Sequence, residues 1–177
     1  GVVPLAVIDH HRGRGRRPGC PFCDIRPDVG ATSSIIFSYF MELEQKISPE
    51  LAASMLFGIE SDLAGAAGQP DELDNVALSS LTLIADTRKL YKMRYVDLPQ
   101  NFFISYAQGM SNALFYDTAL ISHLETAPSP ERPAVIADFL LRFDQVQWAL
   151  VTGVMDQTLI LSLRTYNGNS SASELMR

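Results

Sequence analysis

The sequence predicts an α/β protein in which helical segments dominate up to about residue 111 and β-rich segments follow. Three observations support this prediction. Residues 1–8 have the apolar composition of a strand, and several segments between residues 32 and 110 repeat apolar residues at helical spacing. The runs 113–124, 147–154 and 158–165 are β-rich. The change near residue 111 predicts a domain boundary there.

The composition indicates a globular protein with a core of its own. The chain has 177 residues, of which 47% are hydrophobic, and this is sufficient for one large or two small domains. Its longest apolar runs are interrupted after a few residues, whereas a membrane helix needs roughly 20. Two cysteines in a chain of this size form no disulfide framework, which predicts a cytoplasmic location. No membrane segment is predicted.

The charge is distributed unevenly along the chain. The formal net charge is −6, yet residues 1–30 carry five arginines and three aspartates, a net +2, which leaves about −8 for the remainder. A polyanion is therefore expected to approach the N-terminal part of the chain.

The N-terminal segment predicts a strand followed by a loop and two helices. Residues 1–8 predict a buried strand, and the Arg/Gly/Pro-rich residues 12–30 predict a loop. The hydroxyls of residues 32–34 are candidate N-caps for a helix over residues 35–46. Ser48 and Pro49 are a second start signal, for a helix that runs from residue 51 to about residue 62.

Two further helices are predicted before the β-rich region. Residues 71–94 are expected to form one long amphipathic helix, and residues 99–110 are expected to be helical again. The apolar residues at helical spacing in the long helix are Leu73, Val76, Ala77, Leu81 and Ile84.

The C-terminal part is predicted to form a strand, a helix and two more strands. Residues 155–157 are short enough to join the last two strands as a hairpin, and residues 130–146 place apolar residues on one helical face. Residues 170–177 are predicted to start another helix. Aromatic residues at helical spacing are predicted core members, namely Tyr39, Phe40, Phe57, Phe139 and Phe143.

The triplet Asp9-His10-His11 is the most informative part of the sequence. It follows the first predicted strand, and open parallel sheets place their functional sites at the ends of strands. Adjacent histidines point in different directions, so one can bind a metal while the other faces a substrate. A turn cap with two incidental surface histidines is the alternative that the residues alone leave open.

The run Val7-Ile8-Asp9-His10-His11 resembles the signature of the DHH family of phosphoesterases, which includes RecJ-like exonucleases and nanoRNases. The resemblance continues through residues 28–36, through Gly58-Ile59-Glu60-Ser61-Asp62 and through Ser162-Leu163-Arg164-Thr165 with residues 172–177. The order and spacing of these segments cover essentially the whole chain. The resemblance implies the distal part of a doubly wound parallel-sheet DHH domain over residues 1–98. It further implies a linker over 99–111 and a smaller, mixed α/β DHH-associated domain over 112–177, with the substrate in the cleft between the domains.

The resemblance also implies residue roles. His10 and Asp62 would bind a divalent metal in a site of two Mn²⁺ ions, with Mg²⁺ as the alternative, and such a site activates a water and clamps the attacking and leaving oxygens. Asp9 would orient its neighbours or lie at the metal edge, and His11 would polarise a phosphate oxygen. Leu63 follows Asp62 where the family commonly has Thr.

Three residues are predicted to contact the substrate. Arg164 matches a family position that contacts phosphate or sugar, and its guanidinium fits phosphate bidentately. Thr165 stands where the family usually has Ser and retains the hydroxyl. Arg12 belongs to a cluster of arginines directly after the triplet that either contacts substrate phosphates or forms a solvated basic loop.

The family's Asp-x-Asp motif, its separate bridging Asp and its Gly-rich, His-containing motif have no counterpart in these residues. The chain is therefore expected to be inactive alone. The intact parent is expected to hydrolyse phosphodiester or phosphomonoester bonds in short oligonucleotides or small nucleotides, with pyrophosphate and cyclic dinucleotides as open alternatives. A non-catalytic domain that binds a nucleotide or dimerises is the rival hypothesis, and a homodimer is left open as the assembly.

Three other residues are candidate sites by their chemistry. Cys20 and Cys23 have the spacing of half a zinc site or of a redox pair, but no second Cys/His pair lies at zinc-finger spacing. Ordinary structural thiols are favoured there, with metal binding or redox chemistry left open. His123, in a strand-like run, is predicted to be structural.

Overall fold

The computed structural model describes residues 4–11, 20–65 and 70–165, and the chain divides into a first unit, Gly1–Val96, and a second unit, Asp97–Arg177. In these described parts, no helix is long and apolar enough to cross a membrane. The first unit contains β1 (Ala6–Asp9), β2 (Phe22–Ile25), α1 (Thr32–Glu42), α2 (Pro49–Gly65), α3 (Glu72–Ile84) and α4 (Thr87–Arg94). The second unit contains α5 (Gln100–Ser111), β3 (Leu114–Tyr116), β4 (Ala119–Leu124), α6 (Arg132–Leu140), β5 (Trp148–Met155) and β6 (Thr158–Thr165).

The first unit has a parallel sheet of two strands, β1 and β2, in which Ala6 pairs with Phe22 and Asp9 pairs with Ile25. The predicted first strand is confirmed over residues 6–9, but Ala6 is exposed and only Asp9 at its end is buried. The prediction of a loop over residues 12–30 was wrong for β2, since four residues there pair with β1. The doubly wound arrangement stays a prediction.

Four helices of the first unit form its core. The buried apolar residues come from α1, α2, α3 and α4, with Phe37, Ile59 and Leu81 among the fully buried ones. Leu81 lies on the predicted buried face of α3, whereas Val76 and Ile84 are about half exposed. Burial of each large apolar side chain contributes roughly 1.5–3 kcal/mol, so this cluster stabilises the unit.

The predicted long helix over residues 71–94 was wrong, because α3 ends at Ile84 and α4 begins at Thr87. Between them the Asp86 carboxylate accepts hydrogen bonds from the backbone of Arg88 and Lys89, at 2.9 and 3.1 Å. The backbone N–H of Asp86 donates to the Pro49 carbonyl at 2.8 Å. Asp86 therefore caps a new helix and ties it to the start of α2.

The N-cap predicted for α2 agrees with the structure, whereas the N-caps predicted for α1 do not. Ser48 Oγ accepts a hydrogen bond from the Leu51 backbone at 3.2 Å, as predicted for the N-cap of α2. The cap hydroxyls predicted for α1 lie inside the helix instead, and its N-cap is Ala31, which makes no side-chain cap bond. The backbone N–H of Ser34 bonds to the Ala31 carbonyl at 3.1 Å.

The second unit has a four-stranded sheet in the order β3-β4-β5-β6. Strands β4 and β5 are parallel and connected through α6, while the β3–β4 and β5–β6 pairs are antiparallel. The number of strands is higher than predicted, because residues 113–124 form two strands, separated by a turn at residues 117 and 118, and not one. The predicted hairpin at residues 155–157 is confirmed, and Asp156 and Gln157 both have the positive φ typical of a two-residue hairpin turn.

One face of this sheet is covered by helices. Leu120, Val151 and Ile136 are buried where β4, β5 and α6 meet, and Gly109 of α5 approaches Ile136 so closely that a Cβ there would lie 2.7 Å from Ile136 Cγ2. The hydroxyl of Ser122 also donates to the Gly109 carbonyl at 2.7 Å. The helix predicted for residues 99–110 is confirmed as α5, Gln100–Ser111, and it belongs to the second unit, whereas the family resemblance implied a linker over 99–111.

The aromatic residues predicted for the core are distributed differently. Tyr39, Phe40 and Phe57 are partly buried, whereas Phe139 and Phe143 are 41% and 56% exposed. Both exposed rings belong to the second unit and lie beside the covered face of its sheet. The predicted helix at residues 170–177 lies outside the described residues.

Candidate metal centre

The triplet Asp9-His10-His11 lies at the carboxyl end of β1, as the sequence predicted. Asp9 is the last residue of the strand and is buried, His10 is partly buried and His11 is exposed. One potential ligand atom from each of the three side chains lies within 4.8 Å of the others. The end of the strand therefore presents a carboxylate and two imidazoles to a common space.

Asp62 reaches the same place from the last turn of α2, although it is far from the triplet in sequence. Its Oδ2 lies 3.7 Å from Nε2 of His10, and the two side chains are 42% and 17% exposed, respectively. Ile59, three residues earlier on the helix, is fully buried in the core and fixes this face of α2. The structure thus brings the two predicted metal ligands together.

The donor set fits a divalent ion. Two ligand atoms that share one ion, each about 2.1 Å from it, are about 3 Å apart at right angles and about 4.2 Å apart at opposite positions. The separation of 3.7 Å between His10 Nε2 and Asp62 Oδ2 lies in this range and is too long for a good hydrogen bond. Imidazole and carboxylate together suit Mn²⁺ or a similar ion.

The Asp9 carboxylate bonds to both the imidazole and the backbone of His11. Its Oδ1 lies 2.7 Å from Nδ1 of His11 and accepts a hydrogen bond from the His11 backbone at 3.1 Å. These two bonds, the first above all, lower the pKa of Asp9 to about 2. Asp9 is therefore ionised at neutral pH and fixes the ring, while 63% of the His11 side chain stays exposed. This geometry agrees with an orienting role for Asp9.

Gly30, which lies just before α1, is in close contact with α2 and α3. The backbone N–H of Gly30 donates to Oδ2 of the fully buried Asp74 at 2.7 Å, and the Asp71 backbone donates to the same oxygen at 2.9 Å. A Cβ at Gly30 would lie 2.5 Å from Leu63 Cδ2 and 2.7 Å from Asp74 Oδ2. Leu63 follows Asp62 directly, so this close contact positions the end of α2.

A polar network beside the site was missed by sequence reasoning. Asp24 accepts hydrogen bonds from Arg26 Nε and Nη2 at 3.1 and 2.8 Å, and from the hydroxyl of Tyr39. Arg26 Nη1 also donates to Ser38 Oγ at 3.2 Å. The network joins the end of β2 to α1, and its signal in the sequence is the alternation of Asp24 and Arg26 around an apolar residue at a strand end.

The network shifts the pKa values of its members. The hydrogen bond from Arg26 lowers the pKa of Asp24 and raises that of Arg26. Burial, followed by the hydrogen bond to Asp24, raises the pKa of Tyr39 to about 12. At neutral pH the network therefore consists of a carboxylate, a guanidinium and a neutral phenol.

Two of the predicted substrate-binding residues lie in the second unit, on β6. Arg164 of β6 donates from Nε to Asp138 Oδ1 of α6 at 2.6 Å, so it forms an ion pair on the helix-covered side of the sheet. Thr165 is the last residue of the same strand and is partly buried. Arg12 lies outside the described residues. The roles of all three stay predictions.

The remaining candidates have ordinary surroundings. Cys20 is buried and its thiol donates to the Phe22 carbonyl at 2.9 Å, and Cys23 lies in β2. Among the described residues, neither thiol belongs to a group of three or more potential metal ligands. His123 lies on the exposed face of β4, where its Nδ1 is 2.8 Å from Thr152 Oγ1 on the neighbouring strand.

Comparison with known proteins identified relatives by sequence. The chain is 28% identical over 178 residues to an uncharacterized protein of Methanocaldococcus jannaschii, a match that covers 96% of this chain and 35% of the relative. It is 37% identical over 86 residues to a probable manganese-dependent inorganic pyrophosphatase of Listeria innocua, covering 48% of this chain and 28% of that protein. The chain thus spans about a third of the curated relatives it matches. No family model matches it.

Comparison with solved structures identified a similar fold. The crystal structure of an exopolyphosphatase-related protein from Bacteroides fragilis superposes with a TM-score of 0.76 and 17% sequence identity, covering 90% of this chain and 50% of that one. At this identity the likeness concerns the fold. The mixed α/β architecture is therefore one that a larger known protein contains.

Proposed function

We propose that the intact parent of this chain is a metal-dependent phosphohydrolase and that the chain supplies part of its metal site. The observation that carries this proposal is the approach of His10 and Asp62 from the end of β1 and the last turn of α2, at 3.7 Å between Nε2 and Oδ2. The names of the sequence relatives, which include a manganese-dependent pyrophosphatase, and of the fold relative support the same class of reaction.

In this proposal His10 and Asp62 hold a divalent ion, with Mn²⁺ favoured by the donor set. When bound, such an ion lowers the pKa of a water ligand and neutralises charge on the phosphoryl oxygens. The parent would supply the further ligands that the family resemblance places upstream of the triplet. A second ion is part of the proposal for the same reason.

Asp9 and His11 act as a pair in the proposed mechanism. The ionised Asp9 carboxylate holds Nδ1 of His11 at 2.7 Å, which keeps a proton on that nitrogen and leaves Nε2 directed away from Asp9. An exposed imidazole held in one orientation can donate a hydrogen bond to a non-bridging phosphate oxygen when it is protonated. His11 is thus the proposed phosphate contact, and Asp9 is its orienting group.

The proposed substrates are phosphodiesters or phosphomonoesters in short oligonucleotides or small nucleotides. The net positive charge of residues 1–30 supports an anionic substrate at this end of the chain. Arg12, Arg164 and Thr165 are proposed substrate contacts. Phosphoanhydrides are the competing substrate class, because the named relatives are a pyrophosphatase and an exopolyphosphatase-related protein.

A phosphate-release assay on the parent protein tests the proposal. With Mn²⁺ present, inorganic pyrophosphate, a polyphosphate and a short 5′-phosphorylated oligonucleotide are offered separately, and mononucleotide release is measured for the last. We expect hydrolysis of at least one substrate, and a loss of at least about 100-fold in His10→Ala and Asp62→Ala, as for metal-site residues in general.

Two variants are matched controls for that assay. His123→Ala removes a histidine of the second unit that bonds to Thr152, and Glu60→Gln removes a carboxylate on the same helix as Asp62 that pairs with Arg94. Both are expected to keep at least half of the activity. Binding of Mn²⁺ and nucleotide by a parent that hydrolyses none of the three substrates would replace the enzyme hypothesis with the binding-domain hypothesis.

A further inference from the structure

The second unit contains an apolar pocket that the proposed phosphohydrolase chemistry does not use. It has a volume of about 450 Å³ and lies between the end of α5, strands β3 and β4, and α6 with the residues that follow it. Cavities of roughly 300–1,000 Å³ are typical of small-molecule sites in proteins. The pocket is therefore large enough for a compact organic molecule.

The pocket has a buried floor and exposed aromatic walls. Leu120 and Leu140 form the floor and are 1% and 5% exposed. Phe115 and Phe143 form one wall, with their ring centroids 4.9 Å apart, and Phe139 also lines the pocket. All three rings are more than 40% exposed. Covering these rings would remove apolar surface from water and is favourable by about 25 cal/mol per Å².

Arg142 is the charged residue among those that line the pocket. It is exposed, and within the described parts of the chain no carboxylate lies within 4.0 Å of its guanidinium. By contrast, Arg164 on β6 of the same unit forms an ion pair with Asp138. In a chain of net charge −6, an unpaired guanidinium beside an apolar pocket presents a site for one anionic group.

We propose that this pocket binds a small molecule with an apolar, ring-containing body and one anionic group. The body would lie on the Leu120–Leu140 floor against the aromatic rings, and the anion would meet Arg142. A nucleobase suits the pocket poorly, because its polar edge would meet apolar side chains and lose hydrogen bonds to water. The proposal is independent of the metal centre and of the proposed function.

Two fluorescent probes that differ in charge test the proposal directly. 8-Anilinonaphthalene-1-sulfonate has an aromatic body and a sulfonate, whereas N-phenyl-1-naphthylamine has the same ring systems without the anion. Each is titrated into the purified chain and into its Arg142→Gln and Arg88→Gln variants. Arg88 is an exposed arginine of α4 in the first unit and is the matched control.

We expect one sulfonate probe to bind per chain, and Arg142→Gln to weaken its binding about five- to tenfold, as a charge-assisted hydrogen bond does. The neutral probe should bind wild type and Arg142→Gln within about twofold of each other, and Arg88→Gln should change neither probe. Phe143→Ala should weaken both probes. Near-UV circular dichroism verifies that each variant keeps its tertiary packing, since partly unfolded chains bind the sulfonate probe and can retain a native-like far-UV spectrum.

Two results would overturn the proposal. Equal binding of the sulfonate probe by wild type and Arg142→Gln would show that the guanidinium contacts no anion. A chain that sediments as a dimer and binds neither probe would assign the pocket to a second copy of the chain.

Discussion

The backbone N–H of Arg26 donates to the carbonyl oxygen of Asp9 at 3.0 Å, directly beyond the last register pair of β1 and β2. The strand that carries the triplet is thus tied at its end to a residue whose side chain is held by Asp24 and Ser38. Strand β2 and its polar network therefore support the position of the candidate metal centre.

Asp24→Asn is expected to lower the free energy of unfolding by about 1–2 kcal/mol at pH 7, because it weakens the hydrogen bonds from Arg26 and Tyr39. In the folded chain, the pKa of Asp24 is lowered below the ordinary value of 3.8 for an aspartate. Its stabilising contribution is therefore complete above about pH 4 and is lost as the pH falls through the folded pKa.

Urea unfolding followed by circular dichroism at several pH values measures this effect. The stability difference between wild type and Asp24→Asn should shrink steadily below about pH 4. Asp144→Asn, at an exposed position of the second unit, is the control and should leave stability nearly unchanged. If the stability difference between wild type and Asp24→Asn stayed constant down to about pH 2, the pKa of Asp24 would not be lowered in the folded chain.

Tyr39 is expected to ionise well above the ordinary pKa of a tyrosine side chain. Its pKa is raised to about 12 by burial and by the bond to Asp24, so its contribution to stability is present below about pH 10 and is lost as the pH rises through 12. The difference in absorbance at 295 nm between wild type and Tyr39→Phe should show a titration near pH 12. A midpoint near pH 10 would mean that the phenol is in ordinary contact with water.

Gly30→Ala is expected to destabilise the first unit by about 1–3 kcal/mol, since its Cβ would lie 2.5 Å from Leu63 and 2.7 Å from the buried Asp74 carboxylate. Gly58→Ala is the matched control, because a Cβ there would be in close contact with Ser33 Oγ alone, at 2.6 Å, a hydroxyl that can rotate away, and alanine favours a helix over glycine by about 1 kcal/mol. Thermal unfolding by circular dichroism compares the two. If Gly58→Ala lowered the stability as much as Gly30→Ala does, this packing argument would be refuted.

Several features of the fold were readable from the sequence because they depend on local chemistry. The α2 start follows from the Ser48 hydroxyl and Pro49, and the hairpin at Asp156 and Gln157 follows from a short polar gap between two β-rich runs. The triplet was predicted to end a strand, and Asp9 does. These elements are set by residues that are neighbours in sequence.

Other features depend on distant partners and could not be predicted. Strand β2 is four residues long, too short for a clear periodic signal, and exists through pairing with β1. The break at Asp86 combines a local cap with a backbone bond to Pro49, which belongs to another helix. Phe139 and Phe143 were predicted to be buried from their helical spacing, yet both are exposed. Periodicity identifies an apolar face without showing whether another element covers it.

The ion pair between Arg164 and Asp138 allows a test of the predicted substrate role of Arg164. Because this pair is exposed, Asp138→Asn should change stability by less than about 1 kcal/mol, measured by the fluorescence of the single tryptophan, Trp148, in the same unit. In the parent, Arg164→Gln is expected to raise KM about tenfold while Asp138→Asn keeps KM within about threefold. Equal effects of both variants would assign Arg164 a structural role.

Mn²⁺ binding to the purified chain, followed by the loss of the free-ion electron paramagnetic resonance signal, tests the metal centre most directly. Wild type is expected to bind one Mn²⁺, and His10→Ala and Asp62→Ala to weaken binding at least about tenfold, because their ligand atoms lie 3.7 Å apart. His123→Ala should bind as wild type does. Equal affinities of wild type, His10→Ala and Asp62→Ala would contradict the assignment of these two residues as metal ligands.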